Sequence, residues 1–119
     1  LVRKGFIERF YEIFMASHPD VAPLFERTDF QKQRLALRRG ISVAIFHAAG
    51  SAVVRRTCEE MADAHCRRGR TPVAPGLYPY WINSLLLAVR EYDDQADEAL
   101  LGRWRTAMQS VTGMFGARY

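Results

Sequence analysis

The sequence lacks the usual signals of β-structure and of several enzyme classes. It contains no Asn-Gly or Asp-Gly pair and little alternation of apolar with polar residues, so hairpins and sheets are not expected. A glycine-rich phosphate loop, a Gly-x-Ser-x-Gly elbow and paired catalytic carboxylates are also missing, and these mark kinases and many hydrolases. The kinase and hydrolase interpretations therefore lose most of their support.

Cysteine is scarce, and its placement excludes two kinds of site. Cys58 and Cys66 lie eight residues apart on one predicted helix, so their Cα atoms would be about 12 Å apart, too far for a disulfide. Unpaired thiols favour a reducing, cytoplasmic location. The spacings His-x₃-His, Cys-x₂-Cys and His-Glu-x-x-His do not occur, so a structural zinc site is not expected.

No signal peptide and no good membrane span is apparent. The longest uncharged run, residues 71–89, contains three prolines, which makes it a poor transmembrane helix. With 119 residues, 49% of them hydrophobic and 25% charged, the chain is typical of one soluble folded domain over residues 1–119. The net charge of +4 permits anionic ligands without indicating nucleic acid. Neither a membrane nor a nucleic-acid partner is predicted.

Helical periodicity appears five times, which predicts an all-α fold. Prolines in "SHPDVAPLFERTD" interrupt the pattern after the first helix, and favour short turns there. The first predicted helix has Ile7, Tyr11 and Phe14 inward, the third is capped by Ser51, and the fourth covers about 76–92. The fifth starts from Asp94 or Asp97 and has Phe115 inward. The second is capped by Thr28 or Asp29, and its inward residues are Phe30, Leu37, Ile41, Ala44, Ile45 and Ala48.

Three polar residues, Tyr11, Gln33 and His65, fall on these apolar stripes. Burying such groups costs free energy unless each finds a hydrogen-bond partner or a ligand, so these three residues are the candidates for a functional site. A core tyrosine, an interhelical hydrogen bond and a helix-end histidine satisfied by a carbonyl are the ordinary explanations. A single histidine facing an apolar pocket also suits iron that a porphyrin already holds.

The segments "FYEIF", "HPDVAPLF", "DFQKQRLAL", "MADAHCRRG" and "LYPYWINSLL" together resemble a bacterial single-domain haemoglobin, similar to the globin domain of flavohaemoglobins. The likeness spans nearly the whole chain. The spacings of fourteen residues from Tyr11 to Phe25 and thirty-two from Gln33 to His65 agree with the family. It implies a globin-like three-on-three helical sandwich that lacks or shortens the N-terminal A helix.

The resemblance also implies a site with haem b as cofactor. His65 matches the proximal iron ligand, and Tyr11 and Gln33 match the distal residues that contact a gas ligand. Lys32, Arg67, Arg68 and Arg70 are candidates for pairing the haem propionates by position. The residues predicted to contact the haem are Phe25, Leu37, Ile41, Met61, Tyr78, Trp81 and Leu85.

The sequence departs from flavohaemoglobins at the support of the proximal histidine. The family's C-terminal glutamate has no match, so the far nitrogen of His65 should seek a carbonyl or carboxylate one turn earlier in its helix. Strong electron donation by an imidazolate-like ligand is therefore not expected.

The function implied is reversible binding of O₂, NO or CO, for oxygen transport or for nitric oxide dioxygenation. Dioxygenation needs an electron-donating reductase as a separate partner, because the sequence shows no flavin or nicotinamide module. Two alternatives stay open: a gas- or redox-sensing module that signals through a partner protein, and a haem-free globin fold used for interactions.

Overall fold

The computed structural model describes residues 5–119, and this part of the chain contains five α-helices and no strand. The predicted all-α class is confirmed. Three short 3₁₀ turns, Ala22–Phe25, Ala52–Val54 and Pro75–Leu77, lie in the connections. The helices are α1 (Phe6–Ser17), α2 (Phe30–Ala48), α3 (Arg55–His65), α4 (Tyr78–Tyr92) and α5 (Glu98–Ala117).

Side-chain caps set the start of two helices. The Asp29 carboxylate accepts hydrogen bonds from the backbone N–H groups of Gln31 (3.0 Å) and Lys32 (3.4 Å) at the start of α2. Asp97 accepts from the Leu100 N–H (2.8 Å) at the start of α5. Each carboxylate satisfies N–H groups that have no partner inside the helix, so Asp29 and Asp97, rather than Thr28 and Asp94, are the caps among the alternatives that the sequence leaves open.

The prediction that Ser51 caps the third helix is wrong. Its hydroxyl accepts from the Val53 N–H (3.3 Å) and closes the 3₁₀ turn Ala52–Val54, after which α3 begins at Arg55. A short hydroxyl side chain can cap only the first turn that follows it, so the extra turn takes the cap away from α3.

The helices form two layers around one core. In the first layer α4 packs on both α1 and α5; in the second, α3 packs on α2, and both also contact α5. Phe10, Leu85 and Met108 are fully buried where the layers meet. Cys58 on α3 also has no exposed surface, and this burial raises the pKa of its thiol. The apolar stripes predicted from helical spacing therefore build one core.

Three residues assigned to the inward stripe of α2 are more exposed than expected. Ile45 is 45% exposed, Phe30 is 37% exposed and Ala48 is also exposed, whereas Leu37 and Ala44 of the same stripe are buried. Phe30 begins α2, and Ile45 and Ala48 lie in its last turn, so the exposed members of the stripe are at the two ends of the helix. Among residues 5–119, no helix is both long and apolar enough to cross a membrane.

Candidate haem-binding site

His65 is the last residue of α3, and its ring is held by two contacts. Its Nδ1 lies 2.8 Å from the carbonyl oxygen of Met61, one turn earlier in the helix. A carbonyl only accepts hydrogen bonds, so Nδ1 carries the proton and Nε2 keeps its lone pair. The phenyl ring of Phe115 stacks on the imidazole, with the ring centroids 5.2 Å apart and an interplanar angle of 29°. His65 therefore presents one nitrogen with a free lone pair in a fixed orientation.

The end of α3 is tied down immediately after His65. The backbone N–H and the hydroxyl of Thr71 both donate to the carbonyl of Ala64 (3.0 and 3.2 Å), and the Val73 N–H donates to the carbonyl of His65 (3.1 Å). After His65 the chain turns back over the end of α3. Only glycine fits at position 69 in this return segment, because a Cβ there would collide with the carbonyl oxygens of Asp63 and Ala64. The chain therefore satisfies carbonyls at the helix end that have no partner inside the helix.

Tyr11, Phe25 and Gln33 come together from three separate elements. The Tyr11 ring on α1 is 4% exposed and meets the rings of Phe25 and Phe30 edge-on, with both pairs of centroids 5.5 Å apart. Burial raises the pKa of the Tyr11 hydroxyl to about 12, and the neighbouring Gln33 side chain acts in the opposite direction. At neutral pH the hydroxyl is therefore protonated and able to donate.

The predicted haem-contact residues occupy three environments. Leu37 on α2 and Leu85 on α4 are buried in the core. Trp81 packs against Phe10, with ring centroids 6.2 Å apart. Tyr78 packs edge-on against Phe115 at 6.0 Å, and burial raises the pKa of its hydroxyl to about 12. Like Trp81 and Tyr78, the remaining members are half-buried and pack against the same core: Phe25, Ile41 and Met61.

The cationic candidates Lys32, Arg67, Arg68 and Arg70 are all exposed. Arg67 lies beside the last residue of the chain: its guanidinium carbon is 4.9 Å from the centroid of the Tyr119 ring, and its backbone N–H donates to the Tyr119 carbonyl (3.1 Å). The surface at the end of α3 is thus positively charged and free to meet anionic groups.

Two aromatic residues belong to the site although the sequence does not assign them to it. Phe30 contacts Tyr11 and Phe25, and Phe115 contacts His65 and Tyr78. Both lie on inward stripes, so helical spacing identifies them only as core residues. Because these contacts join distant parts of the chain, only the packing of the helices reveals them.

The donor set of the site fits a metal that arrives already held by a porphyrin. His65 offers one imidazole nitrogen, its other nitrogen is satisfied by a carbonyl, and its neighbours are aromatic and aliphatic. Within residues 5–119, three or more His, Cys, Asp or Glu side chains do not come together as in a protein-built metal site.

Comparison with known proteins identifies the family. No family model matches the chain. A solved structure from Pseudomonas aeruginosa, described as structurally highly homologous to a human haemoglobin, superimposes with a TM-score of 0.90. The two sequences are 30% identical, and the match covers 98% of this chain and 86% of that one. The chain therefore has the globin fold and belongs to the globin family. This agrees with the globin resemblance of the sequence.

Proposed function

We propose that the chain binds haem b through His65 and reversibly binds O₂ or another diatomic gas, such as NO or CO. The observation that carries the proposal is the pairing of two features. One is an imidazole whose Nδ1 is bonded to the Met61 carbonyl, and the other is the buried Tyr11 side chain with the Gln33 amide next to its hydroxyl. The first is suited to bind iron and the second to contact its ligand, and together they are the parts that a haem globin requires.

When bound, haem supplies an iron centre with one position for a gas ligand. Tyr11 would donate a hydrogen bond from its hydroxyl group to that ligand. Gln33 would orient the hydroxyl and donate a second hydrogen bond from its own amide N–H. In a pocket that excludes water, each such hydrogen bond contributes on the order of 1–2 kcal/mol, roughly tenfold in the dissociation rate. We therefore expect slow release of O₂.

The remaining residues would shape and fill the pocket. Aromatic and aliphatic walls keep water from the site and strengthen the hydrogen bonds made inside it. The exposed cations near the end of α3, with Lys32 on α2, would face the propionate groups. The walls would be formed by Phe25, Leu37, Ile41, Met61, Tyr78, Trp81 and Leu85.

Nitric oxide dioxygenation is the activity that we propose for the Tyr11 and Gln33 pair. The conversion of O₂ and NO to nitrate leaves ferric haem, so repeated turnover needs one electron from outside. We propose that a separate reductase supplies it. Rapid mixing of the oxygenated protein with NO should form about one nitrate per haem, and further turnover should require an added electron donor.

The absorption spectrum tests the central claim. We expect the purified protein, after addition of haem, to give Soret and ferrous-CO spectra of a histidine-ligated haem, and His65→Ala to lose them. His47→Ala is the matched control, because His47 is also half-buried but its Nδ1 lies 3.0 Å from the hydroxyl of Ser110 on α5. An unchanged ferrous spectrum and a full haem content in His65→Ala would refute the assignment.

A further inference from the structure

Phe115 contacts the proposed iron ligand from the opposite layer of the fold. It lies in the last two turns of α5, is 9% exposed, and stacks on the His65 ring with centroids 5.2 Å apart and planes 29° apart. Its other neighbour is Tyr78 at the start of α4, edge-on at 6.0 Å and 67°. The phenyl ring therefore lies between helices α3 and α4 and is braced from both sides.

The two contacts of His65 constrain different motions of its ring. The hydrogen bond from Nδ1 to the Met61 carbonyl (2.8 Å) fixes where one edge of the imidazole points. It leaves the ring able to tilt about the axis of that bond, because carbonyl oxygens accept over a broad range of directions. The stacked phenyl ring limits the tilt, since a rotated imidazole would move toward the face of Phe115.

The support given to His65 is also uncharged. The acceptor at Nδ1 is a backbone carbonyl, and the stacking partner is a hydrocarbon ring. The carboxylate nearest in sequence, Asp63, points away and accepts a hydrogen bond from Arg118 (3.2 Å) on the surface. Orientation of His65 therefore depends on packing and one neutral hydrogen bond.

We infer that Phe115 is a positioning residue that sets the orientation of the His65 imidazole toward the haem iron. The inference rests on the proposed haem binding for its consequence, but the stack itself exists in the chain alone. Phe115→Leu removes the flat ring while keeping an apolar side chain of similar bulk. Phe115→Tyr keeps the ring and should restore the orientation.

The first measurement uses the haem-free protein. Proton NMR of the imidazole reports the stack, because protons above a phenyl face are shifted upfield. We expect the His65 ring protons to be upfield of those of His47 in the wild type and in Phe115→Tyr, and the upfield shift to be lost in Phe115→Leu. The matched control is Phe14→Leu, which removes a buried ring from a similar stack with Phe10 (5.6 Å, 28°) distant in sequence from His65.

The second measurement uses the haem-loaded ferrous protein. The iron–histidine stretching band in resonance Raman spectra should shift and broaden in Phe115→Leu, and return to its wild-type position and width in Phe115→Tyr. It should stay as in the wild type in Phe14→Leu. Circular dichroism at the same temperature establishes that each variant is folded.

The outcomes separate the two proposals. Wild-type imidazole shifts and a wild-type iron–histidine band in Phe115→Leu would overturn the role of Phe115, as would equal changes in Phe115→Leu and Phe14→Leu. If no variant and no wild-type sample takes up haem, haem binding fails, while the NMR measurement still decides whether Phe115 stacks on His65.

Discussion

At the scale of single residues, Tyr11 and Gln33 act as one unit. Tyr11 lies on α1 and Gln33 on α2, and their side chains are neighbours at the proposed gas-binding position. Because the Gln33 amide lies next to the Tyr11 hydroxyl, removing either residue changes the environment of the other. Their contributions should therefore not add.

The dissociation rate of O₂ measures this coupling. Tyr11→Phe and Gln33→Leu should each increase the rate by roughly tenfold, since each removes a hydrogen bond worth on the order of 1–2 kcal/mol. The double variant should increase it by less than the product of the two. Gln31→Leu makes the same chemical change at an exposed position two residues away and should leave the rate unchanged. Unaltered rates in both single variants would refute the assignment of the pair.

The alkaline stability of the chain should reflect the buried tyrosines. Burial raises the pKa of Tyr11 from 10.0 to about 12 in the folded protein. The contribution to stability, on the order of 2 kcal/mol, is complete below pH 10 and is lost as the pH rises toward 12. Urea unfolding at pH 8 and pH 11 should show this loss, and Tyr11→Phe should reduce it. An equal loss in the variant would mean that folding does not raise the pKa of Tyr11.

At the scale of elements, the end of α3 decides how firmly His65 is held. The chain returns over the last turn of α3 and places hydrogen bonds on the carbonyls of Ala64 and His65. Gly69 lies in this return segment, so close to the carbonyl oxygens of Asp63 and Ala64 that there is no room for a Cβ. A substitution outside the haem contacts should therefore loosen the proposed iron ligand.

Gly69→Ala should lower the free energy of unfolding by about 1–3 kcal/mol and increase the rate of haem loss, because the added methyl group displaces the return segment. Gly102→Ala is the control, since Gly102 lies inside α5 and a Cβ added there would have nothing within 4 Å. It should instead stabilise the chain by about 0.5–1 kcal/mol. Chemical denaturation and haem transfer to an acceptor protein measure both effects. A destabilisation of the same size in both variants would contradict this explanation.

The helices and their caps are largely predictable from local sequence, whereas the contacts between helices are not. Asp29 and Asp97 are placed correctly because a cap acts on the two or three residues that follow it. Ser51 does not cap α3 because an extra 3₁₀ turn separates the two. Helical spacing predicts that Phe115 faces inward, but its stack on His65 joins residues fifty positions apart. Periodicity carries no information on such a pairing, whereas family spacing directs attention to Tyr11, Gln33 and His65.

At the scale of the whole molecule, the proposed haem contacts form two groups, and each group joins helices of both layers. Tyr11, Phe25 and Gln33 meet where α1, the turn before α2 and α2 converge, and His65 meets α5 through Phe115. A haem between these groups would add apolar contacts to several helices at once. Ligand binding should therefore stabilise the fold as a unit.

Addition of haem should raise the midpoint of thermal unfolding. At a haem concentration one thousand times the dissociation constant the gain is about 4 kcal/mol, which corresponds to roughly 10–20 °C for a chain of this length. His65→Ala should show a much smaller increase, because the bond to iron is missing. Differential scanning calorimetry with and without haem measures both, and equal increases in the two proteins would argue against His65 as the ligand.

The two cysteines of the chain provide a built-in measure of how often α3 opens. Cys58 has no exposed surface, whereas Cys66, one residue past His65, is half-exposed. An alkylating reagent can reach Cys58 only when α3 separates from the core, while Cys66 reacts in the closed molecule. The ratio of the two alkylation rates therefore measures how often α3, which carries the proposed iron ligand, separates from the core, and it needs no added label.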